Sequence, residues 1–175
     1  MISRIKKTAL FSLSAFALTV AAAESGAWTN DLAKDASSPS TCKLEPEAQC
    51  TQAVYVGLQA PGLDMNHASM PQIRLDGANL SRANLSYSIL QLANLEGANL
   101  MLGNLEGAHL HAANLQKANL MMANLQKVNL LDADLRGANL QGANLFGAIL
   151  IKAKLGNATW TDGRVCAPDS VGECR

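Results

Sequence analysis

The chain of 175 residues is poor in aromatic and charged side chains. Aromatic residues make up 4% of the sequence and charged residues 16%, and the 14 acidic and 14 basic residues cancel. Most of the apolar content is therefore alanine and leucine, which favours a narrow, uniform interior over a globular core of varied side chains. The near-neutral balance also gives no reason to expect a strongly charged partner.

The sequence also lacks the residue sets that carry common chemistry. No Ser/His/Asp set, glycine-rich phosphate loop or pair of buried carboxylates stands out. His109 and His111 flank Leu110, but a zinc site needs at least a third ligand, and the neighbouring Gln91 and Leu131 offer no convincing one. We expect a protein that is not an enzyme and has no cofactor or metal site. A surface metal binder or an enzyme is the alternative.

No apolar run reaches the ~20 residues that a membrane-spanning helix needs. Residues 1–23 instead have the features of an export signal: a basic start, an apolar run over residues 9–20 and a small-residue cleavage site before Glu24. No cysteine follows that site to carry a lipid. We therefore expect the chain to be exported, either to the periplasm or to the outside of the cell, and to have no transmembrane segment.

The four cysteines are Cys42, Cys50, Cys166 and Cys174, which form two pairs with seven residues between the members of each pair. An even number of cysteines in an exported chain favours disulfide bonds. Four thiolates around a zinc ion are the alternative, which the wide spacing and the oxidising compartment disfavour. Three disulfide pairings are open at this point.

What the chain has in abundance is a five-residue repeat. Leucine occupies every fifth position from Leu75 to Leu155, 17 times in succession. Among the 18 units between residues 73 and 162, alanine lies two positions before the central residue in 14, and Asn or Asp lies directly before it in 12. A period of five matches neither a helix nor a strand, so each unit must contain a turn.

The repeat has a simple geometrical interpretation. If the residues around each leucine are extended, the leucine points inward and its two neighbours point outward. A turn then brings the small alanine inward at a corner. Four such sides would close a square coil, and successive coils would stack at about 4.8 Å, the spacing of paired strands.

The Ala-Asn-Leu-x-x run, as in residues 78–82 and 83–87, resembles the pentapeptide-repeat family over about 100 residues. The resemblance implies an all-β fold, the right-handed quadrilateral β-helix, here with about five coils and small disulfide-closed caps. The predicted organisation is then a signal peptide at 1–23, a flexible leader at 24–41, an N-terminal cap at 42–62, the β-helix at 63–162 and a C-terminal cap at 163–175. The N-terminal cap would contain a strand or a short helix.

The length of this β-helix decides the cysteine pairing. Five stacked coils separate the two ends by on the order of 20 Å, whereas the Cα atoms of a disulfide lie within about 7 Å. We therefore predict one bond between Cys42 and Cys50 and another between Cys166 and Cys174, one in each cap.

Residues twenty positions apart should stack on the same side of the coil. On one side this gathers the predicted partner surface, which consists of Met101, Leu102, Met121 and Met122. Exposed apolar rows of this kind suggest a contact surface, although they could also be covered by the leader or a cap. A second side shows another apolar row, formed by Ile89, Leu92, Leu131, Ile149 and Ile151.

These features favour a non-enzymatic exported β-helix that serves as a structural or protein-binding module. Its partner would be an unidentified protein or a second copy of the chain, and not a nucleic acid. Some family members mimic duplex DNA and protect gyrase, which is the alternative function. A DNA mimic must be strongly acidic, but residues 73–162 hold six acidic and seven basic side chains. Export would also separate this protein from gyrase.

Overall fold

The computed structural model describes residues 42–175, and within that range there is no α-helix and no strand longer than a single bridge residue. A pattern of a two-residue turn and one bridge residue instead repeats every five residues from residue 49 onward. In the same range no helix is long and apolar enough to cross a membrane. The predicted signal peptide at 1–23 and leader at 24–41 lie outside the described residues.

Each corner is a four-residue turn that starts at a central residue. The amide of Ala78 donates to the carbonyl of Leu75 at 3.0 Å, and Gly77 has a left-handed φ of 66°. A positive φ at the third residue is characteristic of a type II turn. The turn directs the next alanine inward, and Ala78 is fully buried, which explains why a small residue recurs at this position.

The bridges define the register of the coil. Each residue that precedes a central residue pairs in parallel with the residue twenty positions later, from residue 49 to residue 159. One coil therefore contains twenty residues on four sides. We name the sides by one central residue each, so that side A contains Leu110, side B Leu115, side C Leu120 and side D Leu125. Residues that differ by a multiple of twenty in number lie on the same side.

The interior consists of stacked leucines and alanines. Leu110, Leu115 and Leu120 and the alanines between them are at most 1% exposed. Burial of each leucine side chain contributes about 1.5–3 kcal/mol. The core also accepts larger residues at the alanine position, because Ile73 and Val128 are fully buried there.

Asparagine side chains form hydrogen-bonded columns on sides B, C and D. On side C, the Asn119 amide donates to the side-chain oxygen of Asn99 at 3.2 Å, while its own oxygen accepts the backbone N–H of Met121 at 3.2 Å. On side D, the column ends where Asn84 donates to Asp64 at 2.9 Å. Each column therefore ties neighbouring coils together and also holds the turn that follows it.

The bridge ladder starts earlier than the predicted β-helix. Gln49, Val54 and Gln59 already form parallel bridges with the next coil. Residues 49–62 are therefore the first sides of the coil, in place of the separate cap with a strand or helix that we expected. Their central residues are cysteine, tyrosine and alanine instead of leucine, so the leucine pattern does not reveal them. The buried Ala53 keeps the five-residue frame.

Both disulfides join the pairs predicted from the sequence. The Cα atoms of Cys42 and Cys50 are 5.4 Å apart, and those of Cys166 and Cys174 are 4.9 Å apart. At the N-terminal end, the hydroxyl of Tyr55 donates to the carbonyl of Cys42. Each bond thus closes a short loop at one end of the coil stack.

Residues 163–175, which we call the C-terminal loop, leave the coil and fold back over sides B and C. Val171 bridges Lys154 and Val165 bridges Thr159, both in antiparallel orientation. Leu155 donates its amide to Ser170 at 2.9 Å and is fully buried. The loop therefore occupies the level above the last coil on sides B and C. It also reaches the end of side A, where Gly172 donates its amide to the carbonyl of Ala153 at 2.8 Å.

Candidate protein-binding surface

The predicted partner surface is a ridge on side C, formed by Met101, Leu102, Met121 and Met122. Leu102 is 46% exposed and Met122 is 59% exposed, while Met101 and Met121 are half-buried. The two pairs are related by the twenty-residue register, so they lie on adjacent coils about 4.8 Å apart. The structure therefore brings all four residues together on the outer surface, as a continuous apolar strip.

Turn geometry holds the ridge in place. The side-chain oxygens of Asn99 and Asn119 accept the backbone amides of Met101 and Met121, each at 3.2 Å. Leu102 donates its own amide to the carbonyl of Met121 at 3.0 Å. The backbone beneath the ridge is thus fixed within each coil and also between coils.

Leu102 and Met122 occupy the left-handed position of their turns, with φ values of 59° and 58°. Glycine fills the same turn position in other units, including Gly62 and Gly142 on the same side. A left-handed conformation costs a residue with a Cβ roughly 1–2 kcal/mol. Large apolar residues are therefore kept at two positions where glycine would be less strained and where the side chain gains little burial.

A shallow depression of about 460 Å³ lies beside the ridge. Its lining comes from the ridge and from the next two coils, namely Met121, Met122, Gln141, Gly142, Thr161 and Asp162. Gly142 leaves room for the Met122 side chain, because a Cβ there would collide with the Met122 sulfur. Sequence reasoning missed this depression, although a glycine twenty positions after Met122 was a visible signal.

The ridge carries no charge of its own, and charges flank it at a distance. Arg82 is exposed one coil before Leu102, and Asp162 is exposed two coils after Met122. Asp162 is already paired with Arg164 at 3.3 Å. The surface is therefore suited to an apolar contact and not to recognition of a charged group.

The second apolar row lies on side A and is less continuous. Leu92 is 55% exposed and Ile151 is 62% exposed, but Leu131 between them is half-buried. His109 is exposed on the same side, and a ring nitrogen of His111 lies 3.0 Å from the carbonyl of Leu131. Within residues 42–175 no three His, Cys, Asp or Glu side chains are placed to hold a metal ion.

Local contacts or burial shift the pKa of several groups, including two carboxylates and one tyrosine. Hydrogen bonds from Arg136 hold the pKa of Asp134 below its usual value, and hydrogen bonds from Asn66, together with one from Asn84, do the same for Asp64. Burial raises the pKa of Tyr55. All three groups have structural partners in the coil or at its N-terminal end, and none of them lines the ridge or the depression.

A family profile described as pentapeptide repeats matches the chain with 8 copies, over residues 64–101, 104–142 and 123–159, together more than half of its length. The chain belongs to the pentapeptide-repeat family. The right-handed β-helix implied by the sequence resemblance is the fold of this family. None of the curated proteins gives a significant match to this pentapeptide-repeat chain.

Several solved pentapeptide-repeat structures are similar to the chain. Rfr23 from the cyanobacterium Cyanothece 51142 is 29% identical, with 64% of this chain and 90% of that chain covered and a TM-score of 0.37. A thylakoid lumen protein of Arabidopsis thaliana is 28% identical, with coverages of 58% and 79% and a TM-score of 0.28. QnrB1, a plasmid-mediated fluoroquinolone resistance protein, is 18% identical, with coverages of 67% and 73% and a TM-score of 0.44.

Proposed function

We propose that this pentapeptide-repeat protein is an exported, non-enzymatic binding module that holds another protein on the ridge of side C. The observation that carries the proposal is the continuous apolar strip of Met101, Leu102, Met121 and Met122, in which Leu102 and Met122 are exposed. The buried leucines and alanines form the core, so the fold does not require apolar side chains at these outward positions.

The chemistry of the ridge defines the partner. Methionine side chains are flexible and polarisable, so they adapt to irregular apolar partners. The depression next to Met122 offers room for one apolar side chain. The partner is therefore a protein with an exposed apolar side chain that enters the depression and a neighbouring apolar strip that covers the ridge.

The overall role of the β-helix is that of a rigid support. We propose a stack of about five coils at the strand spacing, closed by disulfide-bonded segments at both ends and delivered by the export signal to the periplasm or the exterior. The two disulfides support export, because such bonds persist in oxidising compartments. A stack of this kind presents its side chains on a fixed lattice, which favours binding without a large ordering cost.

Two glycine substitutions on one chain test the proposal. The variant with Leu102→Gly and Met122→Gly removes the ridge side chains but relieves two left-handed positions, so its free energy of unfolding should fall by no more than about 1 kcal/mol. The wild-type and variant proteins are immobilised and exposed to the exported proteins of the source cell. Proteins retained by the wild type should be lost from the variant.

Leu92→Gly is the matched control, because Leu92 is also left-handed and exposed but lies on side A. This control should retain the same proteins as the wild type. Equal retention by the ridge variant, with its stability intact in urea, would exclude the ridge as the binding surface.

We do not propose the function of QnrB1 for this chain. QnrB1 is described as a fluoroquinolone resistance protein, and an acidic surface that imitates DNA would require a large excess of carboxylates. Residues 42–175 of this chain hold 11 acidic and 10 basic side chains. We therefore place the binding activity on the uncharged ridge.

A further inference from the structure

The ridge on side C contains every methionine outside the core in the part of the chain that the structure describes. Of the five methionines among residues 42–175, Met65 and Met70 are at most 1% exposed and belong to the core. The other three, Met101, Met121 and Met122, all lie in the ridge. The accessible thioether sulfurs are therefore gathered on the surface that we propose to bind a protein.

The sulfur of Met122 lies at the depression, within reach of solvent. Met122 is 59% exposed, and its sulfur lies directly over Gly142, where a Cβ would collide with it. Met122 and Gly142 both line the depression. The neighbouring coil thus has no side chain that covers the sulfur at this point, and a small solute can approach it.

The sulfurs of Met65 and Met70 are out of reach of the same solute. Both side chains are packed among the inward residues of the coil. Protein cores have few voids larger than a water molecule, so a peroxide reaches these two sulfurs only when the coil opens. All four cysteines are in disulfides, so no free thiol competes for an oxidant. The ridge methionines are therefore the side chains that a peroxide oxidises most readily.

We propose that the ridge is a modification site, at which a peroxide oxidises Met122 to methionine sulfoxide and thereby releases the bound protein. This regulation rests on the proposed function of the ridge. The sulfur lone pair attacks one oxygen of hydrogen peroxide, an S–O bond forms as the O–O bond breaks, and the other oxygen leaves as water after proton transfer. The sulfur loses two electrons and the peroxide gains them, so each peroxide gives one sulfoxide and one water.

The sulfoxide changes the chemistry of the ridge at its most exposed methionine. A flexible apolar side chain becomes a polar one, with an oxygen that accepts hydrogen bonds from water. A partner's apolar side chain in the depression would remove that water without replacing its hydrogen bonds, which costs free energy. Because Met122 lies outside the core, the leucine and alanine interior stays intact. Oxidation therefore weakens binding without unfolding the coil.

Oxidation rates test the selectivity. The full chain is treated with graded amounts of hydrogen peroxide, and the sulfoxide at each methionine is quantified by peptide mass spectrometry. Met122 should react at least tenfold faster than Met65 and Met70, and the half-buried Met101 and Met121 should lie between these limits. In urea, where burial is lost, all five should react at similar rates. If Met122 reacts no faster than Met65 and Met70 in the folded protein, the proposal is wrong.

Leucine is the matched replacement for the ridge methionines, because the chain already carries leucine at both turn positions. Leu131 has the turn position of Met101 and Met121, and Leu92 has that of Met122. The variant with Met101→Leu, Met121→Leu and Met122→Leu therefore keeps an apolar ridge but has no sulfur there to oxidise. Its urea midpoint should match that of the wild type.

Binding is compared with the wild type and the leucine variant, each before and after peroxide treatment. Both are immobilised, freed of peroxide and exposed to the exported proteins of the source cell. Oxidation should reduce the protein retained by the wild type at least fivefold and leave retention by the leucine variant unchanged. Undiminished retention by the oxidised wild type would overturn the proposal. Equal losses in both proteins would also overturn it, since the oxidised group would then lie outside the ridge methionines.

The outcomes separate this regulation from the proposed function itself. If the untreated wild type and the variant with Leu102→Gly and Met122→Gly retain the same proteins, the ridge is not a binding surface and both proposals fail. If the glycine variant loses those proteins but the oxidised wild type keeps them, the ridge binds a partner and only the regulation by oxidation fails.

Discussion

The middle of the coil stack and its last coil contain the same repeat unit in two different environments. Leu110 has a coil above and below it and is fully buried, whereas Leu150, on the same side two coils later, is only half-buried. Leu155 belongs to the same last coil as Leu150 but lies under the C-terminal loop and is fully buried. The burial of a central leucine thus depends on whether a further coil or the C-terminal loop covers it, and not on the sequence of its own five-residue unit. This is expected for a repeat protein, in which each repeat contacts only its neighbours.

The largest expected change in stability comes from truncating a central leucine. Leu110→Ala should lower the free energy of unfolding by about 3 kcal/mol, because it leaves a cavity between two coils. Leu150→Ala should cost about half as much in a monomer, since its side chain is already partly in water. Urea unfolding at low protein concentration measures both. Equal costs would show that the last coil is covered in solution.

The covered half of the end offers a second test, at Gly156. A Cβ on Gly156 would collide with the carbonyl oxygen of Pro168, so Gly156→Ala should lift the C-terminal loop and cost about 1–3 kcal/mol. Hydrogen exchange should then show faster exchange of the Leu155 amide, which donates to Ser170.

The control for Gly156→Ala is Arg136→Ala, at the same turn position one coil earlier. Its ion pair with Asp134 is half in solvent, so the change should be worth less than about 1 kcal/mol. If Gly156→Ala left the free energy of unfolding and the exchange of the Leu155 amide unchanged, the C-terminal loop would not be packed on side B.

Replacing asparagines in the columns should also cost more stability in the middle of the stack than at its end, but the difference should be smaller than for the leucines. Asn119 both donates to Asn99 and accepts from Met121, so Asn119→Ala should cost about 1–2 kcal/mol. Asn144 is exposed on the last coil, where its side chain accepts the Phe146 amide at 3.1 Å. Asn144→Ala should therefore cost less than Asn119→Ala in thermal unfolding. The reverse order would contradict a stabilising role for the columns.

The smallest expected effect is the pH dependence from Asp134 in the middle of side B. Hydrogen bonds from Arg136 lower its folded pKa, so the group contributes stability above its unfolded pKa of about 3.9, and that contribution is lost as the pH falls through the folded pKa. Because the pair is partly exposed, the contribution should be a few tenths of a kcal/mol. Urea midpoints at pH 7 and pH 2.5 should differ less in Asp134→Asn than in the wild type.

Much of the fold could be predicted from the sequence because a strict period leaves few geometries. The leucines and alanines from Leu75 to Leu155 require a turn in each unit, and the length of the resulting stack was enough to pair the cysteines. The start of the ladder was missed because Cys50, Tyr55 and Ala60 replace the central leucines. In that region Ala48 and Ala53 keep the alanine of the frame, whereas Leu58 and Leu63 replace it in the next two units, so the pattern is hard to recognise.

The surface was predictable in part. The twenty-residue register predicts that Met101 lies beside Met121 and that Leu102 lies beside Met122, and the structure has both neighbours in these places. The depression at Gly142 and the partly covered C-terminal end were not predictable in the same way. Both depend on what lies one coil above, and the antiparallel return of residues 163–175 breaks the period that would have shown it.

The asparagine columns have a direction as well as a bonding pattern. On side D, Asn124 donates to Asn104, Asn104 to Asn84 and Asn84 to Asp64. On side B, Asn114 donates to Asn94, and Asn94 to Asp76. The side-chain dipoles of each column therefore align along the stack and polarise one another, and both of these rows terminate on a carboxylate at the N-terminal end. The side-chain dipoles of these columns therefore add up along the stack axis, although the net charge of the protein is close to zero.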